Sequence, residues 1–228
     1  MIIGLRAGHS AKCGGANKYL NEYNQCIELF KYVRDLLKSQ GHTVIDCNST
    51  ASTQSAELRE GTDKANKNKC DIYITLHMNA SGGAGYGTEV WTYNSTSSKA
   101  NEIGKRLCVN MAELGLRNRG LKHNQGYHDL KQTTMQAAIF ELLFVDNQGD
   151  VDIWNKNSLD TISRKVANAI DPNIPKVKPA PPTAPAQTGQ TFFRVIAGSY
   201  SNRDNAEAQK KKLEGLGITG VFLEAFKK

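Results

Sequence analysis

Ile2-Ile3-Gly4-Leu5-Arg6-Ala7-Gly8-His9, Ile72-Tyr73-Ile74-Thr75-Leu76-His77 and Ala138-Ile139-Phe140-Glu141-Leu142-Leu143-Phe144 are the stretches that decide the fold. Each is short and nearly continuously apolar, the pattern of a strand buried on both faces in a parallel sheet. Each also carries ionisable side chains where apolar ones are expected. Two histidines close their runs, and a glutamate sits inside the third. In open α/β sheets the carboxyl ends of the parallel strands line one edge, and ligands bind there. The runs therefore predict a site at that edge, and a metal ion is the economical use of its histidines.

Between these runs, helix-like and strand-like segments alternate. Residues 18–40 read as a helix, because Tyr19, Tyr23, Ile27, Phe30, Val33 and Leu37 recur at intervals of three and four. Gly41 ends it. Strands are expected at 1–7, 43–47, 71–77, 88–93 and 137–145, and further helices at 55–68, 99–114 and 158–170. Residues 82–87, rich in glycine, read as a flexible loop. They lack the Lys-Ser/Thr pair of a phosphate-cradling loop. The alternation predicts an α/β domain with a mostly parallel sheet flanked by helices.

All six prolines fall between Pro172 and Pro185. This predicts a semi-rigid linker at 175–190, a large domain at 1–174 and a small module at 191–228. The module reads strand (192–200), helix (205–216), strand (220–223), with little core and two open strand edges. The net charge of +7 is uneven. Residues 1–175 hold 20 basic and 18 acidic side chains, and residues 176–228 hold nine and four. The basic tail implies an anionic partner, which by charge alone is a nucleic acid or an anionic wall polymer.

No run of about 18 apolar residues is present, so membrane insertion is not expected. The first residues lack the basic and apolar regions of a secretory signal, which predicts cytoplasmic synthesis and action on the outside only after release. Five scattered cysteines with no C-x-x-C spacing make no disulfide framework, and Cys26 and Cys70 read as small core residues.

Catalytic zinc takes three protein ligands, often two histidines and a carboxylate. His9 and His77 supply the pair. Glu22 lies 13 residues after His9, with Cys26 and Leu29 at helical spacings of four and seven, so its face borders the apolar stripe. Many glutamates share such spacing. Glu141 is different in kind, because a carboxylate within an apolar run costs several kcal/mol unless paired, neutralised or used. It either reaches an exposed edge or a buried arginine, or serves as a general base whose pKa burial raises toward the working pH. His42 reads as a surface residue, and His123 and His128 as loop residues or members of a cleft rim.

The chain resembles the zinc-dependent N-acetylmuramoyl-L-alanine amidases of the type 3 family, found in bacterial autolysins and phage endolysins. The matching pieces begin with Ala7-Gly8-His9, Leu20-Asn21-Glu22, Arg59 with Ala65-Asn66, and residues 71–80. Gly87-Thr88-Glu89-Val90, Arg119-Gly120-Leu121-Lys122 and residues 139–147 follow in order. The resemblance implies His9, Glu22 and His77 as zinc ligands and Glu141 as the catalytic glutamate. It also implies cleavage of the amide joining N-acetylmuramic acid to L-alanine of bacterial peptidoglycan, with no nucleic acid involved. Two departures stand out: Ser10 follows His9 where glycine is common, and Leu143 adds bulk where glycine is usual. Residues 193–207, with Leu213 and Gly217, resemble half of a sporulation-related repeat (SPOR) domain, a peptidoglycan-binding module. Its open edges predict a homodimer through paired tails. The absent signal suits a phage endolysin, with a mother-cell autolysin of a spore former as the alternative. A protein of the same fold that grips wall without cutting it, or a zinc hydrolase of another amide or ester, is also consistent with the residues.

Overall fold

The computed structural model describes residues 1–96, 98–179 and 197–225. The chain divides into two units, Met1–Pro179 and Ala180–Lys228. The first contains β1 (Ile2–Ala7), α1 (Glu22–Ser39), β2 (Thr43–Asp46), α2 (Gln54–Lys67), β3 (Ile72–Asn79) and β4 (Thr88–Thr92). After these come α3 (Lys99–Ala112), β5 (Asn118–His123), α4 (His128–Lys131), β6 (Ala137–Phe144), α5 (Gln148–Lys156) and α6 (Leu159–Ile170). The strands form one sheet in the order β2-β1-β3-β6-β4-β5. Four neighbours are parallel, and β4 turns antiparallel against β6 while pairing parallel with β5. The mostly parallel α/β sheet expected from the runs is what forms.

Strand side chains alternate between faces, and the two faces of this sheet differ. Ile3, Leu5 and Ala7 of β1, Ile72, Ile74 and Leu76 of β3, and Phe140 and Leu142 of β6 enter the larger core under α1, α3 and α6. The second face buries a smaller cluster, with Tyr73, Ala137 and Ile139 meeting Ala65 of α2 and Leu130 of α4. Helix α4 is only four residues long. Cover on this face is thinnest near the carboxyl ends of β3 and β6, where His77 and Glu141 stand partly open.

Several boundaries differ from the expectation. Helix α1 starts at Glu22 rather than at 18, because Asn21 is extended and caps it, accepting from Asn24 N at 2.9 Å. Residues 17 and 21 pair as an isolated bridge ahead of it. Three elements had no sequence signal strong enough to read: β5 is a polar, half-buried strand at the end of the sheet order, α4 is a single turn, and α5 follows an Asn147 cap. The glycine-rich loop is tied down rather than free. Ser81 N and Gly83 N both donate to Asp146 Oδ2 at 2.8 Å, and Gly87 N donates to Asp150 Oδ2 at 2.7 Å. His42, read as a surface residue, is mostly covered, with 12% of its side chain exposed and its Nε2 2.8 Å from Asp171 Oδ2. Cys26 and Cys70 are buried.

In the second unit, α7 (Arg203–Gly215) forms with Asn202 as its cap. The strand expected at 220–223 is not formed. A strand requires a hydrogen-bonded partner backbone, and most of its expected partner, residues 192–196, lies outside the described residues.

Candidate active site

The connection after β1 builds the first half of the site. Gly8 N still donates to Leu76 O at 2.7 Å, keeping the chain beside β3 one residue past the strand. A Cβ at Gly8 would lie 2.3 Å from the His77 ring, so only glycine lets that ring rest on the β1 end. His9 then turns with φ 69°, the left-handed region, at a cost on the order of 1 kcal/mol for a non-glycine. Ser10, the departure from the family pattern, is fully buried and holds the turn. Its Oγ donates to Ala51 O at 2.6 Å and accepts from the amides of Lys12 and Cys13.

Glu22 opens α1, where a negative charge meets the positive end of the helix. It is buried, and two backbone amides aim it: Met78 N donates to Oε1 at 3.0 Å, and Ala16 N to Oε2 at 2.7 Å. His9 Nε2 lies 3.1 Å and His77 Nδ1 3.0 Å from that same Oε1. Burial works against the carboxylate's charge, but the hydrogen bonds from His77 and His9 outweigh it and hold its pKa well below the usual range.

One ligand atom from each of His9, Glu22 and His77 lies within 4.8 Å of the others. Tetrahedral zinc with bonds of about 2.0–2.1 Å would set neighbouring ligand atoms roughly 3.3 Å apart, close to the observed contacts. Two imidazoles and a carboxylate are a zinc donor set. The residues present therefore fit such an ion. Gly8→Ala is expected to displace the His77 ring and weaken zinc binding at least tenfold while leaving the far-ultraviolet circular dichroism unchanged. Competition against a chromophoric chelator measures it.

Glu141 is the register partner of His77, so their side chains stand next to each other on the thinly covered face. Strand β6 lies between β3 and β4, which removes the exposed-edge explanation of this carboxylate. Its Oε2 is buried and has no hydrogen-bond partner among the described residues, a condition that usually marks a group with a role beyond packing. Burial pushes its pKa up to about 7. His77 pulls the other way, while Glu22 and Glu89 add to the rise.

Two further charged groups were not singled out from the sequence. Arg6, fully buried in β1, meets Glu57 of α2 through Nη2 at 3.5 Å and Asp129 of α4 through Nη1 at 3.3 Å. Glu57 Oε1 also lies 3.5 Å from His9 Nδ1, the ring nitrogen turned away from Glu22. A carboxylate there orients a ligating imidazole. The second group is Glu89 on β4 with Arg119 and Lys122 of β5. Arg6 was visible as an oddity in its run, but its partners stand 51 and 123 positions away, which no local pattern links.

Residues 3–172 match the family model described as N-acetylmuramoyl-L-alanine amidase. The chain belongs to this amidase family. Residues 175–225 match the SPOR domain, a stretch that starts earlier than the module expected at 191. An uncharacterized protein of Clostridium perfringens is 30% identical over 177 residues, covering 75% of this chain and 52% of its own length. The endolysin of Bacillus phage SPP1 is 29% identical over 163 residues, covering 69% and 59%. Among solved structures, the catalytic domain of the CD27L endolysin targeting Clostridia difficile aligns with TM-score 0.69 and 29% identity, covering 75% of this chain and 96% of that one. The chain spans about half the length of the curated relatives it matches first. Within the amidase family frame, Leu143 is accommodated in the larger core, fully buried.

Proposed function

We propose that this protein hydrolyses the amide between N-acetylmuramic acid and the L-alanine that begins the peptidoglycan stem peptide, with His9, Glu22 and His77 holding zinc and Glu141 acting as general base. The observation that carries the reading is Glu141: a carboxylate whose Oε2 is buried without a hydrogen-bond partner among the described residues, beside His77, in a strand that is otherwise apolar. When bound, zinc supplies Lewis acidity to the scissile carbonyl and to the attacking water. Glu141 accepts the proton that the water loses and returns it to the nitrogen of the departing alanine, so the leaving group departs as a neutral amine. Glu22 stays fixed by its two amide donors throughout.

Membership of the amidase family supports the bond, and the SPOR match supports a tail that holds the enzyme to the wall through its basic side chains. Similarity to two endolysins supports a role in lysis. Among the described residues no helix is long and apolar enough to cross a membrane.

Digestion of purified walls tests the reading. New free amino groups are expected without new reducing sugar ends, with loss of activity under a zinc chelator and recovery on adding zinc. Reducing ends without amines would reject it. Glu22→Ala is expected to weaken zinc binding by at least ~100-fold, since one of three ligands is gone; zinc bound at the wild-type level would remove Glu22 from the ligand set.

A further inference from the structure

On the thinly covered face a row of side chains crosses the sheet. His77 on β3 stands opposite Glu141 on β6, and Glu141 stands opposite Glu89 on β4. The next position, on β5, is Gly120, where an added Cβ would have nothing within 4 Å. On either side of that opening, Arg119 and Lys122 reach back over β4. Arg119 Nε lies 2.5 Å and Lys122 Nζ 2.7 Å from Glu89 Oε2. Both cations are held: the guanidinium sits 4.9 Å from the Phe144 ring centre, and the ammonium 5.2 Å from that of Trp91. Glu89 is 2% exposed, whereas Arg119 and Lys122 keep 23% and 33% of their side-chain surface open.

Neutralising Glu89 takes one positive charge, and two are present. Its other oxygen is already served by Asn79 Nδ2 at 3.2 Å and Trp91 Nε1 at 3.1 Å. The surplus is a half-open positive charge held over Glu89 on β4, the strand next to that of Glu141. We propose that Arg119 and Lys122 form a carboxylate-binding subsite for the second residue of the stem peptide, and that this subsite sets which way the substrate lies across the site. The proposal rests on the amidase reading. On one side of the scissile amide are sugars without charge, and on the other a peptide bearing carboxylates, so a cation pair selects the peptide side. Each residue advances the chain by about 3.5 Å, so where the second residue is an acidic one joined onward through its side-chain carboxyl, its free α-carboxylate is within reach of the cations. Rigid, partly desolvated cations bind a carboxylate more strongly than mobile exposed ones.

The test uses two synthetic N-acetylmuramoyl tripeptides that differ only at the α-carboxyl of the second residue, free in one and amidated in the other. Full-length wild-type protein with zinc is expected to show a KM about tenfold lower for the acid, with similar kcat, since a charge-assisted hydrogen bond is worth roughly that factor. That preference is expected to shrink as salt is raised and to fall to about one in R119Q/K122Q. Lys122→Gln alone, which leaves Arg119 on Glu89, is expected to lose part of it and guards against a folding failure of the pair. Equal KM values in wild type, or a preference that survives both substitutions, would overturn the subsite. If wild type released no alanyl peptide from either substrate, the amidase reading itself would fail and the subsite with it.

Discussion

Glu141→Gln is expected to bind zinc as tightly as wild type, to lose about 10²–10⁴ in the rate of wall hydrolysis, and to unfold at a higher temperature. The loss follows from removing the carboxylate beside His77 that is not one of the proposed zinc ligands, and general-base contributions are commonly of that size. The gain in stability follows from burial. A carboxyl whose pKa rises from 4.5 to about 7 on folding opposes folding once it must ionise. The stability it takes away is absent below pH 4.5, grows between there and pH 7, and is complete above. At pH 8 it amounts to at most about 3 kcal/mol, so the amide variant is expected to melt several degrees above wild type in the presence of chelator, with the difference vanishing near pH 4. In the loaded enzyme the cation draws the carboxyl's pKa downward, so activity is expected to rise with pH and level off at or below pH 7. Differential scanning calorimetry of both proteins across pH 4–8 measures the first effect, and a pH–rate profile the second. A variant that melts at or below wild type at pH 8 would contradict a strained, buried base.

Arg6→Met is expected to cost about 3–5 kcal/mol, the usual penalty for breaking a buried ion group by removing one member. Glu57 and Asp129 are 1% and 2% exposed and would be left without their cation. For a unit of this size the melting temperature is expected to fall by roughly 6–20 °C. The triple change Arg6→Met, Glu57→Gln, Asp129→Asn is expected to restore most of the loss, because it removes the charges as well as the cation. It is not expected to restore zinc affinity, since Glu57 also faces His9 Nδ1 at 3.5 Å. Chemical denaturation gives the first comparison and chelator competition the second. A single Arg6→Met change costing less than about 1 kcal/mol would show that the trio contributes little.

Glu141 and Arg6 show how far the runs could be read. Both looked out of place in apolar strands, and the reason lies in what stands next to them. For Glu141 the sequence leaves a functional reading beside an exposed edge or an arginine partner; the structure removes the edge, placing the strand centrally and the carboxylate beside His77. Arg6 could not be interpreted, because its partners come from α2 and from a single-turn helix with no periodicity of its own. Glu22 was visible only as a glutamate on the border of an apolar stripe. The helix start expected at 18 lies one turn later, since Asn21 caps α1 and makes Glu22 the first helical residue. Strand β5 escaped because it is polar and half-buried, and with it went the cation pair at Arg119 and Lys122.

The sequence by itself determined the sheet. Continuous apolar runs of strand length cannot be satisfied except between two layers of helices, so β1, β3 and β6 had to be buried and the histidines closing the first two runs had to emerge at one edge. Only the tertiary structure decided the chemistry of that edge. Register put Glu141 against His77 and Glu89 against Glu141. The turn through Gly8 and His9 brought two rings onto one oxygen of Glu22. These relations join residues from 13 to 64 positions apart, and local patterning carries no information about them. Packing fixes them, because a one-residue slip of any of these strands would move its apolar side chains out of the core.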